Sequence, residues 1–240
     1  RFSTVTGVQT CALPISYFLE LFPAILPGLK NTLSITALSY AGGLVIGLLL
    51  AFVSRRRIPL LYPLAQVYVS FFRGAPVVAL LFLIYFGMPR VVPPLGSLLN
   101  AYWATVITIA LNISAYMSES IRAAIDAVDR GQIEAGLAEG MTDGQVFRYI
   151  VLPQAGKIAL PSLSNNLVIT LKGTSIAFTI GVTEVMGRMN IEVSNTYRYF
   201  ECYAAVALIY WALVAGLTAV QRRWERHLEK ADVLTGVPRC

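Results

Sequence analysis

The chain has 240 residues, of which 56% are apolar and only 13% charged, and its net charge is +6. A soluble domain carries about 25% charged residues, so this composition excludes an ordinary soluble enzyme or binding module and describes an integral membrane protein. In that setting the basic excess flanks membrane spans and gives no reason to expect a nucleic-acid partner.

Taken in chain order, residues 1–15 (RFSTVTGVQTCALPI) lack the charged-then-apolar pattern of a signal peptide. They are expected to be non-native or disordered, the alternative being a genuine extension outside the membrane. A single transmembrane domain is expected over 16–231 and a loose tail over 232–240. A spanning helix needs about 20 mostly apolar residues. Segments 34–53, 99–117 and 202–220 meet this without a charge. Segment 60–88 is interrupted only by Arg73, just before Gly74 and Pro76, and holds one long or one broken helix. Segment 158–182 is interrupted only by Lys172. The fold class is therefore all-α, with about five transmembrane helices. No internal repeat or linker divides the chain.

Between the third and fourth spans lies the polar segment 134–153, EAGLAEGMTDGQVFRYIVLP. Ile133 and Leu137 are one helical turn apart, and Gly140 is suited to stop that helix in the left-handed conformation. Thr142 with Gln145 fits a capping box that starts a second helix. Val146, Phe147 and Ile150 give it an apolar stripe, and Pro153 is expected to end it. An ordered helix pair outside the bilayer points to a docking partner. With the N-terminus outside, Arg55-Arg56-Arg57, the loop over 122–157 and the tail after 220 fall inside and hold most of the Lys and Arg. This places the loop and the C-terminus in the cytoplasm.

Chemistry-bearing motifs are few. Cys11, Cys202 and Cys240 have neither metal nor redox spacing. His227, the single histidine, lies in a charged tail, so neither a zinc site nor a triad is expected. Lys172-Gly173-Thr174 lacks the glycine spacing of a phosphate loop. The chain is thus no ATPase by itself, and no enzyme signature is present. Charges inside spans are functional candidates by default: Arg73 and Lys172 either line a path or pair across the bundle. Glu119 is read as structural, because Arg122 lies three residues on along the same face. Asn112 and Tyr116, four apart, share a face and either bind substrate or bond helices together.

The loop residues Glu134, Ala135, Gly140, Ile150, Leu152 and Pro153 have the spacing of the EAA loop, and the chain resembles the permease subunits of bacterial ABC importers. Gly136 stands where the family usually has a second Ala, and Glu139 where the amino-acid branch usually has Leu. Further segments resemble the polar amino-acid branch: Arg73-Gly74-Ala75-Pro76, Tyr85-Phe86-Gly87-Met88-Pro89, Asn112 to Tyr116, and Lys172-Gly173-Thr174-Ser175, where Gly173 replaces the usual Asp. The resemblance implies a permease subunit of the bacterial cytoplasmic membrane that moves an amino acid of the polar class. It also implies a homodimer or heterodimer of permeases, a substrate-binding protein, and a separate ABC ATPase that binds the ATP and docks on the loop. No cofactor is implied for this chain. A passive channel or ion-driven secondary transporter is the alternative reading.

Overall fold

The computed structural model describes residues 15–235, which are mostly helical with no strand among them. Cys11 and Cys240 lie outside the described residues. The elements are α1 (Ile15–Ile25), α2 (Leu29–Arg56), α3 (Leu61–Gly74), α4 (Val77–Phe82), α5 (Met88–Val91), α6 (Pro94–Leu98), α7 (Ala101–Asp126), α8 (Arg130–Ala138), α9 (Asp143–Val146), α10 (Leu152–Gly173), α11 (Val185–Thr196) and α12 (Tyr199–Thr235). Two helical stretches are long and apolar enough to cross a membrane, Glu20–Arg56 and Tyr199–Arg226. Two bent pairs bring the number to four if each is one span: α3 with the 77–91 segment, bent by 110°, and 143–180 with α11, bent by 45°. The helix at the centre, α7, has 26 residues, which reaches about 39 Å. Its many small and hydroxylated side chains lower its hydropathy, yet it is long enough to span the hydrocarbon core and much of it is buried.

The bundle is built on α2 and α7. Ile35, Ser39, Gly43, Gly47 and Ala51 recur every fourth residue on α2 and are all buried, so they form one stripe along the helix. A Cβ on Gly47 would lie 2.9 Å from Met117 Cβ and 3.1 Å from the Ser114 carbonyl. Only hydrogen fits there, and the two backbones approach as closely as small-residue membrane interfaces allow. Ser39 Oγ donates to the Val106 carbonyl at 3.1 Å. Ser39 thus faces Val106, Gly43 faces Ala110 and Gly47 faces Ser114, so α2 and α7 run parallel, and the chain over 61–98 must carry it back between them. Tyrosines fasten the outer helices: Tyr40 donates to the Leu163 carbonyl on α10 (3.2 Å), and Tyr68 on α3 donates to that of Leu111 (3.0 Å).

Several boundaries differ from expectation. An additional helix, α1, starts at Ile15 and leads through a 3-10 turn at Leu26–Gly28 into α2. With α11 and the start of α12 it encloses a cluster that includes Leu21, Ile25, Val185, Met189 and Cys202, whose thiol is fully buried. Neither α1 nor α11 is expected from hydropathy alone, since each is short and meets its neighbours only in three dimensions. The last helix continues through Thr235, past the boundary expected at Asp232. Pro153 does not end the second loop helix. A π turn at Phe147–Val151 joins α9 to α10, and the Leu152 N–H reaches back to the Phe147 carbonyl. Pro153 then occupies the first turn of α10, and the widened π turn just before it accommodates the proline within the continuous helix.

The α2–α7 contact yields a matched test. Gly42 sits beside Gly47's stripe but would place a Cβ 3.5 Å from Ala110 Cβ, an ordinary contact. Gly47→Ala should destabilise the detergent-solubilised protein by about 1–3 kcal/mol through overpacking, while Gly42→Ala should be neutral or stabilising. Thermal unfolding of the two variants measures the difference, and equal midpoints would refute the close approach.

Candidate functional site

The loop after α7 folds as a compact unit. Asp129 begins α8 by accepting the Gln132 N–H on its side chain (3.2 Å). The helix ends at Gly140, whose φ of +85° is accessible to glycine without strain. There the Met141 N–H bonds the Gly136 carbonyl (3.1 Å) and the Gly140 N–H bonds that of Leu137 (3.0 Å), the paired bonds of a Schellman end. The capping box forms as expected: the Thr142 N–H donates to Gln145 Oε1 (2.8 Å), and the Gln145 N–H donates to Thr142 Oγ1 (3.4 Å). Val128, Val146, Val151 and Ala155 make a private core, with Ile133, Met141, Phe147 and Ile150 around it. This core fixes what the loop exposes. Glu134, Ala135, Gly140, Leu152 and Pro153 are exposed, whereas Ile150 is half-buried. Leu137 and Tyr149 add exposed apolar surface, Leu137 in place of the inward contact its spacing suggests. Glu134 lies in the second turn of α8; Asp129 is the acid at the positive helix end.

The second cluster surrounds the break between α3 and α4. Ala75 is extended, with ψ of 137°, the conformation favoured before proline. Pro76 has no N–H for the Phe72 carbonyl four residues back. Asn112 replaces that donor, its Nδ2 lying 2.6 Å from the Phe72 oxygen. One turn on, the Tyr116 hydroxyl donates to the Arg73 carbonyl at 3.5 Å, and the Arg73 guanidinium lies 5.6 Å over the Tyr116 ring. A further turn on, Glu119 is 3.9 Å from Arg73 and 2.8 Å from Arg122, which also reaches Asp126 at 3.2 Å. Asn112, Tyr116 and Glu119 therefore form one face of α7 that reads the broken end of α3. Arg73, Asn112 and Tyr116, proposed from sequence as path residues, come together here. Lys172 does not join them: it is exposed at the end of α10 and forms no ion pair among the described residues.

Hydropathy gives no warning of Glu184. Fully buried, this acid precedes α11 and accepts hydrogen bonds from the N–H groups of Met186 (2.9 Å) and Gly187 (2.7 Å). It also accepts from the hydroxyls of Tyr210 on α12 (2.9 Å) and Thr32 on α2 (3.4 Å). One carboxyl thus ties three helices together. The available signal is a lone acid immediately after the apolar run 158–182, in a position to cap the next helix.

The chain has known counterparts. The family model for binding-protein-dependent transport system inner membrane components matches residues 43–230. The chain belongs to this family. It is 44% identical over 218 residues to the "Probable amino-acid ABC transporter permease protein PatM" of Vibrio harveyi, covering 91% of this chain and 97% of that one. It is 37% identical over 214 residues to the L-cystine transport system permease protein TcyL of Bacillus subtilis, covering 88% and 90%. Among solved structures, a crystal structure of an amino acid ABC transporter with histidines superimposes with a TM-score of 0.82 at 35% identity, covering 88% of this chain and 97% of that one. The chain is a multi-pass inner-membrane permease subunit of an ABC importer. Nothing in the fold or the relatives favours a channel or an ion-driven carrier.

Two substitutions separate structural from substrate roles. Asn112→Ala should cost about 1 kcal/mol of stability by freeing the Phe72 carbonyl. It should scale transport down without changing the preference among amino acids; an altered preference in competition uptake would make Asn112 a substrate ligand instead. Glu184→Leu strands four buried or part-buried donors, each at about 1–3 kcal/mol, and should yield little monodisperse protein in detergent. Glu184→Gln keeps an acceptor and should restore most of it.

Proposed function

We propose that this permease imports an amino acid of the polar class, driven by a separate ATPase that docks on the loop over 134–153. The observation that carries this reading is the loop itself: a core of its own holds Glu134, Ala135, Leu137 and Leu152 exposed in a fixed arrangement. An isolated membrane domain has no use for an exposed, apolar and rigid surface. The relatives' names, which refer to amino acids, support the cargo class.

In this mechanism the loop end of the bundle and the C-terminal end of α12 face the cytoplasm and the N-terminus faces outward, in keeping with the distribution of Lys and Arg. A second permease, identical or a sister, completes the path. A binding protein delivers the amino acid to the face that carries α11. ATP bound by the partner subunits closes them and pushes the loops together. Because α10 continues out of the loop through the π turn, displacement of the loop is displacement of a spanning helix. Arg73 and Lys172 are the charges available near such a path, with Asn112 and Tyr116 holding Arg73 and the broken helix in place.

Gly140→Val tests the coupling. Its positive φ imposes about 1–3 kcal/mol of strain on a non-glycine residue, which displaces α8 from α9 while leaving the spans untouched. Membrane insertion should persist, whereas co-purification of the ATPase and uptake should fall about tenfold or more. Leu49→Val, on the exposed side of α2, is the control for general damage. Normal uptake by Gly140→Val would remove the loop from the mechanism.

A further inference from the structure

At the loop end of the bundle, a cleft of about 740 Å³ opens between α2, the start of α3, the end of α7 and the loop. One wall is Arg55-Arg56-Arg57, at the end of α2. The acids around the cleft do not neutralise this wall. Glu119 and Asp126 are engaged by Arg122, and Glu119 by Arg73 as well, while Asp143 sits in the first turn of α9. None of the three wall arginines forms an ion pair among the described residues. Arg55 instead lies 5.3 Å over the ring of Phe147 in the loop, and Arg56 lies 5.8 Å over that of Phe52. The turn into α3 holds two non-glycine residues at positive φ, Arg57 (46°) and Leu60 (70°). This conformation is uncommon and, for a bulky residue such as leucine, an outlier. Leu60 is 78% exposed and Leu61 47%, beside a cleft lined by Phe52, itself 54% exposed.

We propose that this cleft binds the headgroup of an anionic phospholipid. The phosphate would sit against Arg55, Arg56 and Arg57 while the acyl chains lie along Phe52, Leu60 and Leu61. Unpaired cations at the end of a spanning helix attract anionic headgroups, and the apolar rim distinguishes a lipid from a free anion. Because Phe147 and Val151 also line the cleft, the bound lipid would brace the loop against the end of α2. The proposal is independent of the side of the membrane the loop faces and of the partner that docks on it.

The test uses the full chain in mixed micelles, with phosphatidylglycerol or phosphatidylcholine added and retained lipid counted by native mass spectrometry. The chain should retain phosphatidylglycerol in preference to phosphatidylcholine. Arg56→Gln/Arg57→Gln should weaken that retention by about fivefold for each arginine removed. Arg222→Gln/Arg223→Gln, which removes the same charge from α12, should leave it unchanged. Equal loss in the two double variants would reduce the effect to general charge and overturn the proposal. So would equal retention of the two lipids, or displacement of phosphatidylglycerol by millimolar inorganic phosphate, which would mark a free-anion site. If the first double variant does not fold, a photoactivatable phosphatidylglycerol on the unmodified chain decides: labelling within 52–66 supports the site, and labelling elsewhere refutes it.

Discussion

The close approach of α2 to α7 is the constraint on which the other elements depend. Within lipid, burial of apolar surface adds little to helix association, so packing and interhelical hydrogen bonds must hold the pair. Gly43 and Gly47 bring α2 against Ala110, Ile113, Ser114 and Met117, and Ser39 adds a bond to a main-chain carbonyl. The parallel alignment of the pair obliges the intervening chain to return along them. That return segment contains the break at Gly74–Pro76, and α7 presents Asn112, Tyr116 and Glu119 to it. The polar seam is therefore a consequence of the central pair: one face of α7 meets α2 through small residues, and another meets the freed carbonyls of α3.

The loop is attached to this frame in two different ways. At its start it leaves α7 through a short connection, with Asp129 restarting the helix. At its end it has no joint, because the π turn carries α9 into α10. Displacement of the loop would therefore pass directly into α10, toward Lys172 and the turns that precede α11. Glu184 lies beyond the end of that route, where it holds α11 to α2 and α12.

The departures from the family pattern have local explanations. Gly136 faces inward, where a Cβ would lie 2.7 Å from Ile150 Cδ1 and 3.2 Å from Val146 Cγ2. In this chain the loop helices close around the missing methyl group, so the glycine costs intrinsic helix propensity but permits tighter packing. Glu139 is exposed at the end of α8, where a polar side chain is at no disadvantage.

Local rules determined the spans and much of the loop. Apolar runs of sufficient length became helices, Thr142 with Gln145 formed its capping box, Gly140 took positive φ, and Arg122 bridged Glu119, because each depends on residues within a turn or two of one another. Proline was legible only in part. Pro76 broke its helix, while Pro153 was accommodated by a π turn that its sequence neighbourhood does not announce. Tertiary structure decided the remainder. Whether Asn112 and Tyr116 meet substrate or main chain depended on where the α3 break fell against α7, and the role of Glu184 depended on hydroxyls more than 25 and 150 positions away. Hydropathy carries no record of such distances, since a polar residue inside an apolar region reads the same whether its partner is a ligand, a carbonyl or another helix.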